Sequence, residues 1–129
     1  MESLPRRVLI VEDDPSVQRA LERFLDVHGF SAVTVADADV ALDIVREGRL
    51  AAAIVDLHLP HGSGRDVVVS IPAPIPVIIF SGMPEDSCDL EHLRPHTRLI
   101  EKPYSLVMLV EMLERMLAGD DAAPPGQRS

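Results

Sequence analysis

Five polar residues of this sequence come at or just after the ends of short apolar runs, and their types suit phosphoryl chemistry. They are Glu12, Asp13, Asp56, Ser81 and Lys102. Carboxylates are hard oxygen ligands of the kind that Mg²⁺ prefers, and a carboxylate beside such an ion can act as a nucleophile toward phosphorus. A hydroxyl and an ammonium group can bind the phosphoryl oxygens. This chemistry requires that all five residues meet at one place.

The apolar runs before these residues predict strands of one parallel sheet. Continuous runs of four or five apolar residues are typical of strands buried on both faces. In an open α/β sheet the chemistry lies just beyond the carboxyl ends of such strands. We therefore expect the five polar residues at a common edge, where three carboxylates would repel one another unless a cation lies among them. The predicted strands are 7–11, 31–35, 51–55, 77–80 and 97–100.

Helices are predicted between these strands from capping residues and apolar spacing. Asp14, Asp37 and Ser105 stand where N-caps are expected, and Pro15 occupies the favoured first position of a helix. Shorter helices are expected at 65–71 and, weakly, at 84–93. Strands alternating with helices predict an α/β fold with a doubly wound, five-stranded parallel sheet in the flavodoxin-like order 2-1-3-4-5.

Composition narrows the class of protein. The 129 residues are 47% hydrophobic and 26% charged, as in an ordinary globular domain. Twelve basic and twenty-one acidic residues give a net charge of −9, which disfavours binding to nucleic acid or an anionic membrane. The single Cys88 excludes an internal disulfide, and no apolar stretch approaches membrane-spanning length. We expect a soluble, cytoplasmic protein.

The motifs together resemble the receiver domain of two-component response regulators. The matching pieces are residues 8–14, residues 56–60 with Gly64, residues 80–82 and residues 102–103. Each piece alone is a weak signal, but the ordered set on alternating strands is specific. The resemblance implies a receiver domain over 1–118, and we expect residues 119–129 to be a disordered tail.

The resemblance implies a role for each site residue. Asp56 would accept a phosphoryl group from a histidine kinase or histidine phosphotransfer protein. Asp13 and Asp56 would bind Mg²⁺ directly, Glu12 would bind it through water, and the backbone carbonyl of His58 would complete the protein ligands. The resulting switch would control binding to a downstream protein.

The remaining two site residues would act on the phosphoryl group itself. Ser81 would bind it, and Lys102 would pair with Asp56 or its phosphate. The resemblance implies no enzymatic activity beyond slow phosphorylation from small donors and slow self-dephosphorylation.

Two alternatives to a switch controlled by phosphorylation remain open. Leu99 stands where the family usually has an aromatic switch residue, so a receiver-fold binding module that is not controlled by phosphorylation remains an alternative. A small phosphatase with an Asp nucleophile is a second, although such enzymes usually carry a carboxylate two residues after the nucleophile, where this chain has His58. The His58 side chain should border the site and could tune hydrolysis of the phosphate.

The last predicted helix raises the question of a partner surface. Its core face is expected to consist of Leu106, Leu109, Val110, Leu113 and Leu117. Two methionines, Met108 and Met112, are predicted to lie off that face. They are either ordinary surface residues or part of a partner-binding face, which could support a homodimer.

Overall fold

Strands and helices alternate throughout the computed structural model, which describes residues 6–59, 62–81, 89–101 and 105–119. Within these ranges the strands are β1 (Arg6–Val11), β2 (Phe30–Val35), β3 (Ala52–Asp56), β4 (Val77–Ser81) and β5 (Thr97–Glu101). The helices are α1 (Pro15–Val27), α2 (Ala38–Glu47), α3 (Gly64–Ser70), α4 (Leu90–Leu93) and α5 (Leu106–Leu117). The predicted succession of elements is confirmed.

The five strands form one parallel sheet in the order β2-β1-β3-β4-β5. This is the predicted order. Val11 of β1 lies opposite Val55 of β3, and the next residue of β3, Asp56, lies opposite Phe80 of β4. Because parallel strands in this register finish together, the residues that follow them share one edge of the sheet.

Two apolar layers cover the sheet, one on each face. Side chains alternate along a strand, so neighbouring residues enter different layers. Val8 and Ile10 of β1 pack with α1 and α5, whereas Leu9 and Val11 pack with α2 and α3. All four have no exposed surface, which is why the run carries no polar residue. Burial of a side chain of this size contributes about 1.5–3 kcal/mol to the free energy of folding.

The predicted N-caps are all present. The side chains of Asp14, Asp37 and Ser105 accept hydrogen bonds from backbone N–H groups in the first turns of α1, α2 and α5, at 2.9, 2.7 and 3.3 Å. Ser63, which the sequence did not single out, caps α3 in the same way at 3.2 Å. This cap explains why α3 begins at Gly64, one residue earlier than predicted.

Only the second half of the fourth predicted helix falls within the described residues. The sequence predicted a helix over 84–93; Leu90–Leu93 are helical, Asp89 precedes the helix, and residues 82–88 lie outside the described part. Asp89 makes no side-chain cap, and Leu90 is the single buried residue of this helix. With one buried residue and no side-chain cap, these four residues make few interactions that stabilise the helix.

Two methionines of α5 are more buried than the sequence predicted. Met108 is exposed as predicted, with 63% of its surface accessible, but Met112 is half-buried and packs against the core. Met116 is buried, although the sequence analysis did not place it on the core face. Met112 follows Leu109 by three residues and Met116 follows it by seven, so all three lie on the same side of the helix.

Two further expectations are a disordered C-terminal tail and the absence of membrane-spanning segments. Of the predicted tail 119–129, only Gly119 falls within the described residues. Among the described helices, none combines the length and the apolar character that crossing a bilayer requires.

Candidate functional site

Three carboxylates converge at the carboxyl edge of the sheet. Glu12 and Asp13 follow β1, and Asp56 is the last residue of the adjacent β3. One oxygen from each of the three lies within 4.8 Å of the others. Glu12 and Asp56 are almost completely buried, with 1% and 2% of their surfaces exposed, whereas Asp13 is exposed. The structure thus brings together the three acids that the sequence placed at this edge.

Glu12 is held in place by hydrogen bonds from three directions. Its Oε2 atom accepts from the backbone N–H of Asp14 at 2.8 Å. Its own N–H donates to the carbonyl of Val35 at 3.0 Å, and its carbonyl accepts from the side-chain amide of Gln18 at 2.5 Å. These contacts fix the carboxylate within the cluster. The sequence analysis did not identify Gln18, because its part depends on how α1 lies against the end of β1.

Asp56 is fixed by a hydrogen bond to its side chain and by close packing against its backbone. Its Oδ1 atom accepts from the N–H of His58 at 2.9 Å, which orients the carboxylate. Behind it, the first residue of α3 approaches so closely that a Cβ atom on Gly64 would lie 2.6 Å from the Asp56 carbonyl oxygen and 2.9 Å from Leu57 Cα. Only glycine fits there without displacing the backbone that carries Asp56.

Ser81 lies at the end of β4, next to the strand that ends in Asp56. Its side chain is completely buried. Its Oγ atom is 3.1 Å from Nε2 of His58, whose residue is otherwise exposed. The His58 side chain therefore does border the site, and it reaches a hydroxyl that the sequence placed at the same edge.

Lys102 lies outside the described part of the structure, which omits residues 102–104. The preceding strand β5 ends at Glu101, which lies opposite Ser81 in the β4–β5 register. Nothing further about the position of Lys102 follows from the described residues.

Leu99, at the usual position of an aromatic switch residue, is part of β5. Its side chain is half-buried against the α2–α3 side of the core. Its backbone N–H donates to Oε2 of Glu91 in α4 at 2.8 Å. A contact between α4 and β5 therefore exists at this position, although it is made by the backbone of residue 99. No pattern in the sequence identified Glu91 as its partner.

The short helix α4 is held at both ends by arginines. Arg65 of α3 forms two hydrogen bonds to Asp89, one at 3.2 Å and one shorter. The bond from Arg65 lowers the pKa of the Asp89 carboxyl group, and the same pair raises the pKa of Arg65. At the other end Arg94 is 5% exposed, and burial lowers the pKa of its guanidinium. Neither arginine was singled out from the sequence, because Asp89 and the segment 71–75 are distant in the chain from Arg65 and Arg94 respectively.

The donor set at the carboxylate edge fits magnesium. Its described side-chain ligands are all carboxylate oxygens, two of them buried, and they are close enough to share one ion. Mg²⁺ prefers this kind of ligand and is usually bound by one or two carboxylates together with waters and phosphate oxygens.

Comparison with known proteins agrees with this geometry. The family model of the response regulator receiver domain matches residues 8–114. The transcriptional regulatory protein PrrA of Mycobacterium tuberculosis is 31% identical over 115 residues, which cover 86% of this chain and 49% of that protein. The DNA-binding response regulator MtrA of Mycolicibacterium smegmatis is 34% identical over 83 residues, 63% of this chain and 36% of that protein. The chain thus spans half or less of the length of these relatives.

Solved structures give the same result. The receiver domain of the sensor histidine kinase PA1611 from Pseudomonas aeruginosa, determined with a magnesium ion in its active site cleft, is 25% identical. It superposes with a TM-score of 0.75, and the match covers 88% of this chain and 98% of that one. A response regulator receiver protein from Sinorhizobium medicae shares the fold with a TM-score of 0.81 at 17% identity, covering 90% of this chain and 97% of that one. Because the family model extends over most of the chain and the sheet order agrees, this chain belongs to the response regulator receiver domain family.

Proposed function

We propose that Asp56 accepts a phosphoryl group from a histidine kinase or histidine phosphotransfer protein in a Mg²⁺-dependent reaction, and that the phosphorylated chain changes its binding to a downstream protein. The observation that carries this proposal is the cluster of Glu12, Asp13 and Asp56, with one oxygen of each within 4.8 Å. Two of these three acids are buried, and a divalent ion among them would offset the repulsion between their charges.

The proposed reaction is a phosphoryl transfer between two nucleophiles. An oxygen of the Asp56 carboxylate attacks the phosphorus of a phosphohistidine, and a new oxygen–phosphorus bond forms. The phosphorus–nitrogen bond breaks, and its electron pair stays on the donor imidazole, which then takes up a proton. Charge is spread over the phosphoryl oxygens in the transition state, so groups that bind those oxygens accelerate the transfer.

The residues around Asp56 have distinct parts in this proposal. Asp13, Asp56 and the carbonyl of His58 would hold Mg²⁺, and Glu12 would hold it through water. When bound, the ion supplies positive charge that offsets the carboxylates and the phosphoryl oxygens. Ser81 would donate its hydroxyl proton to a phosphoryl oxygen. Lys102 is assigned to the phosphoryl group by resemblance to the family, since it lies outside the described residues.

A switch is favoured over a phosphatase by the residue two positions after Asp56. A phosphatase of the haloacid-dehalogenase type usually carries a carboxylate there, which could serve as a general acid or base. Here His58 occupies the position, and its ring is within hydrogen-bonding distance of Ser81. The proposal therefore treats the chain as a phosphorylated signalling domain with slow turnover, acting through protein contacts.

Phosphorylation can be tested with a small donor. The chain is incubated with acetyl phosphate and Mg²⁺, and its intact mass is followed over time. The wild type should gain one phosphoryl group, whereas Asp56→Asn should gain none. Asp26→Asn, at an exposed position of α1, is the matched control and should behave as the wild type. A wild type that gains no mass, or an Asp56→Asn variant that gains as much, would contradict the proposal.

A second experiment separates the switch from its two alternatives. Beryllofluoride with Mg²⁺ should change the NMR signals of residues around Asp56, because it mimics a phosphoryl group on the carboxylate. Absence of any change would favour a binding module that is not controlled by phosphorylation. Repeated turnover of an aryl phosphate would favour the phosphatase.

A further inference from the structure

We propose that the His58 side chain is a positioning residue for phosphoryl transfer, which acts by holding and polarising the hydroxyl of Ser81. The inference rests on the proposed function, since it concerns the same site. It goes beyond the resemblance to the family, which assigns only the backbone carbonyl of His58 to the metal.

His58 contacts two residues of the proposed site, Asp56 and Ser81, through different groups. Its backbone N–H donates to Oδ1 of Asp56 at 2.9 Å, and its ring Nε2 atom lies 3.1 Å from Oγ of Ser81. One residue therefore ties the nucleophile at the end of β3 to the phosphoryl-binding hydroxyl at the end of β4. The two contacts are separable, because every substitution at position 58 other than proline keeps the backbone N–H.

The hydrogen-bonding capacity of a serine hydroxyl sets the direction of this contact during transfer. Ser81 has one proton to donate and lone pairs that can accept. When that proton is donated to a phosphoryl oxygen, the contact with His58 persists only if Nε2 carries a proton and donates to Oγ. The neutral imidazole with its proton on Nε2 meets this condition. Neither bond is covalent and no proton changes place.

A chain of two hydrogen bonds then runs from His58 through Ser81 to the phosphoryl group. Each bond in such a chain polarises the next, most strongly where water is excluded. Ser81 is completely buried, so the second link lies in a site of that kind. The contact with the ring also restricts rotation of the hydroxyl, which lowers the entropy lost when the phosphoryl group is bound.

A double-mutant cycle on the rate of phosphorylation tests the inference. His58→Leu removes the donor, and the rate should fall roughly three- to tenfold, as expected for the loss of one ordinary hydrogen bond. His58→Gln carries a side-chain amide that can donate to Ser81, and it should recover most of the rate. In a Ser81→Ala background, His58→Leu should cause no further decrease. Equal effects of His58→Leu with and without the Ser81 hydroxyl would overturn the positioning role.

A second measurement needs no phosphoryl group. At fixed pH and without a donor, the ring nitrogen signals of His58 in NMR spectra should change in Ser81→Ala and stay unchanged in Ser70→Ala, a serine at the end of α3. Unchanged His58 signals in both variants would overturn the contact itself. A wild type that is never phosphorylated would overturn the proposed function and this inference together. A phosphorylated wild type with additive substitutions would overturn only the role of His58.

Discussion

Replacement of Arg94 by methionine should strongly destabilise the fold. Its guanidinium donates to the carbonyls of Ile71, Pro72 and Ile75 at 3.2, 2.6 and 2.5 Å, and to Oγ1 of Thr97 at 2.9 Å. Arg94 therefore joins the proline-rich segment before β4 to the start of β5. Methionine keeps most of the apolar stem but offers no donor.

The magnitude follows from which of these bonds water can replace. Those to Ile71 and Thr97 are buried, whereas those to Pro72 and Ile75 are partly exposed and open to substitution by water. Two buried bonds from a charged donor represent about 3–6 kcal/mol. Burial of the charge offsets part of this, as the lowered pKa of Arg94 indicates. We expect the free energy of unfolding to fall by about 3 kcal/mol in Arg94→Met, in line with other losses of a buried charged partner.

Urea unfolding followed by circular dichroism measures this change. Arg94→Lys is the matched variant: it keeps the positive charge, but its ammonium cannot reach carbonyls on both sides as a planar fork does, so it should recover only part of the loss. A decrease below about 1 kcal/mol in Arg94→Met would refute the reasoning, because it would mean that water or a local shift satisfies the buried acceptors.

Three further predictions concern other parts of the site and its supports. Gly64→Ala should lower the free energy of unfolding by about 1–3 kcal/mol and slow phosphorylation of Asp56, because the added Cβ would displace the backbone of that residue. Asp89→Asn should lower stability at neutral pH but not in acid. The hydrogen bond from Arg65 lowers the pKa of Asp89, so its contribution is present above the unfolded value of 3.8 and is lost as pH falls through the folded pKa. Asp13→Asn should weaken Mg²⁺ binding, measured by isothermal titration calorimetry, because it removes one of three clustered carboxylates.

Each of these three substitutions has a control variant or a result that would contradict the prediction. Gly29→Ala, where an added Cβ meets no atom within 4 Å, should leave the rate of phosphorylation unchanged. For Asp89→Asn, a difference in urea midpoint from the wild type that persists at full size once Asp89 is protonated in the folded protein would contradict the assigned cause. Asp39→Asn, an exposed acid on α2, should bind Mg²⁺ as the wild type does. Equal affinity in Asp13→Asn would exclude Asp13 as a ligand.

The sequence predicted those features that depend on neighbours in the chain. Buried parallel strands are recognisable as short apolar runs, and caps such as Asp14 and Asp37 act within one helical turn. Right-handed connections leave few sheet orders, and among them a five-stranded doubly wound sheet favours the one observed. The carboxylate cluster could be predicted because Glu12, Asp13 and Asp56 come at strand ends, and strand ends meet whenever the sheet is parallel.

The features that escaped prediction depend on how separate elements pack. The burial of Met112 and Met116 is set by the rotation of α5 against the sheet, which differs by less than one residue spacing from the predicted face. Arg94 could not be recognised, because three of its acceptors come from a segment about twenty residues earlier in the chain. A charged residue in a loop is usually solvated, and only the folded structure shows that this one is enclosed.

The hydrogen bond between Glu91 and the backbone of Leu99 bears on how the molecule can assemble. β5 is an outer strand, and an outer strand that offers free N–H groups invites pairing with another chain. Here the carboxylate of α4 already takes one of these groups and places a negative charge beside it. A strand added beside β5 would have to displace the Glu91 side chain or bury its charge. Pairing of another strand with β5 at Leu99 is therefore disfavoured.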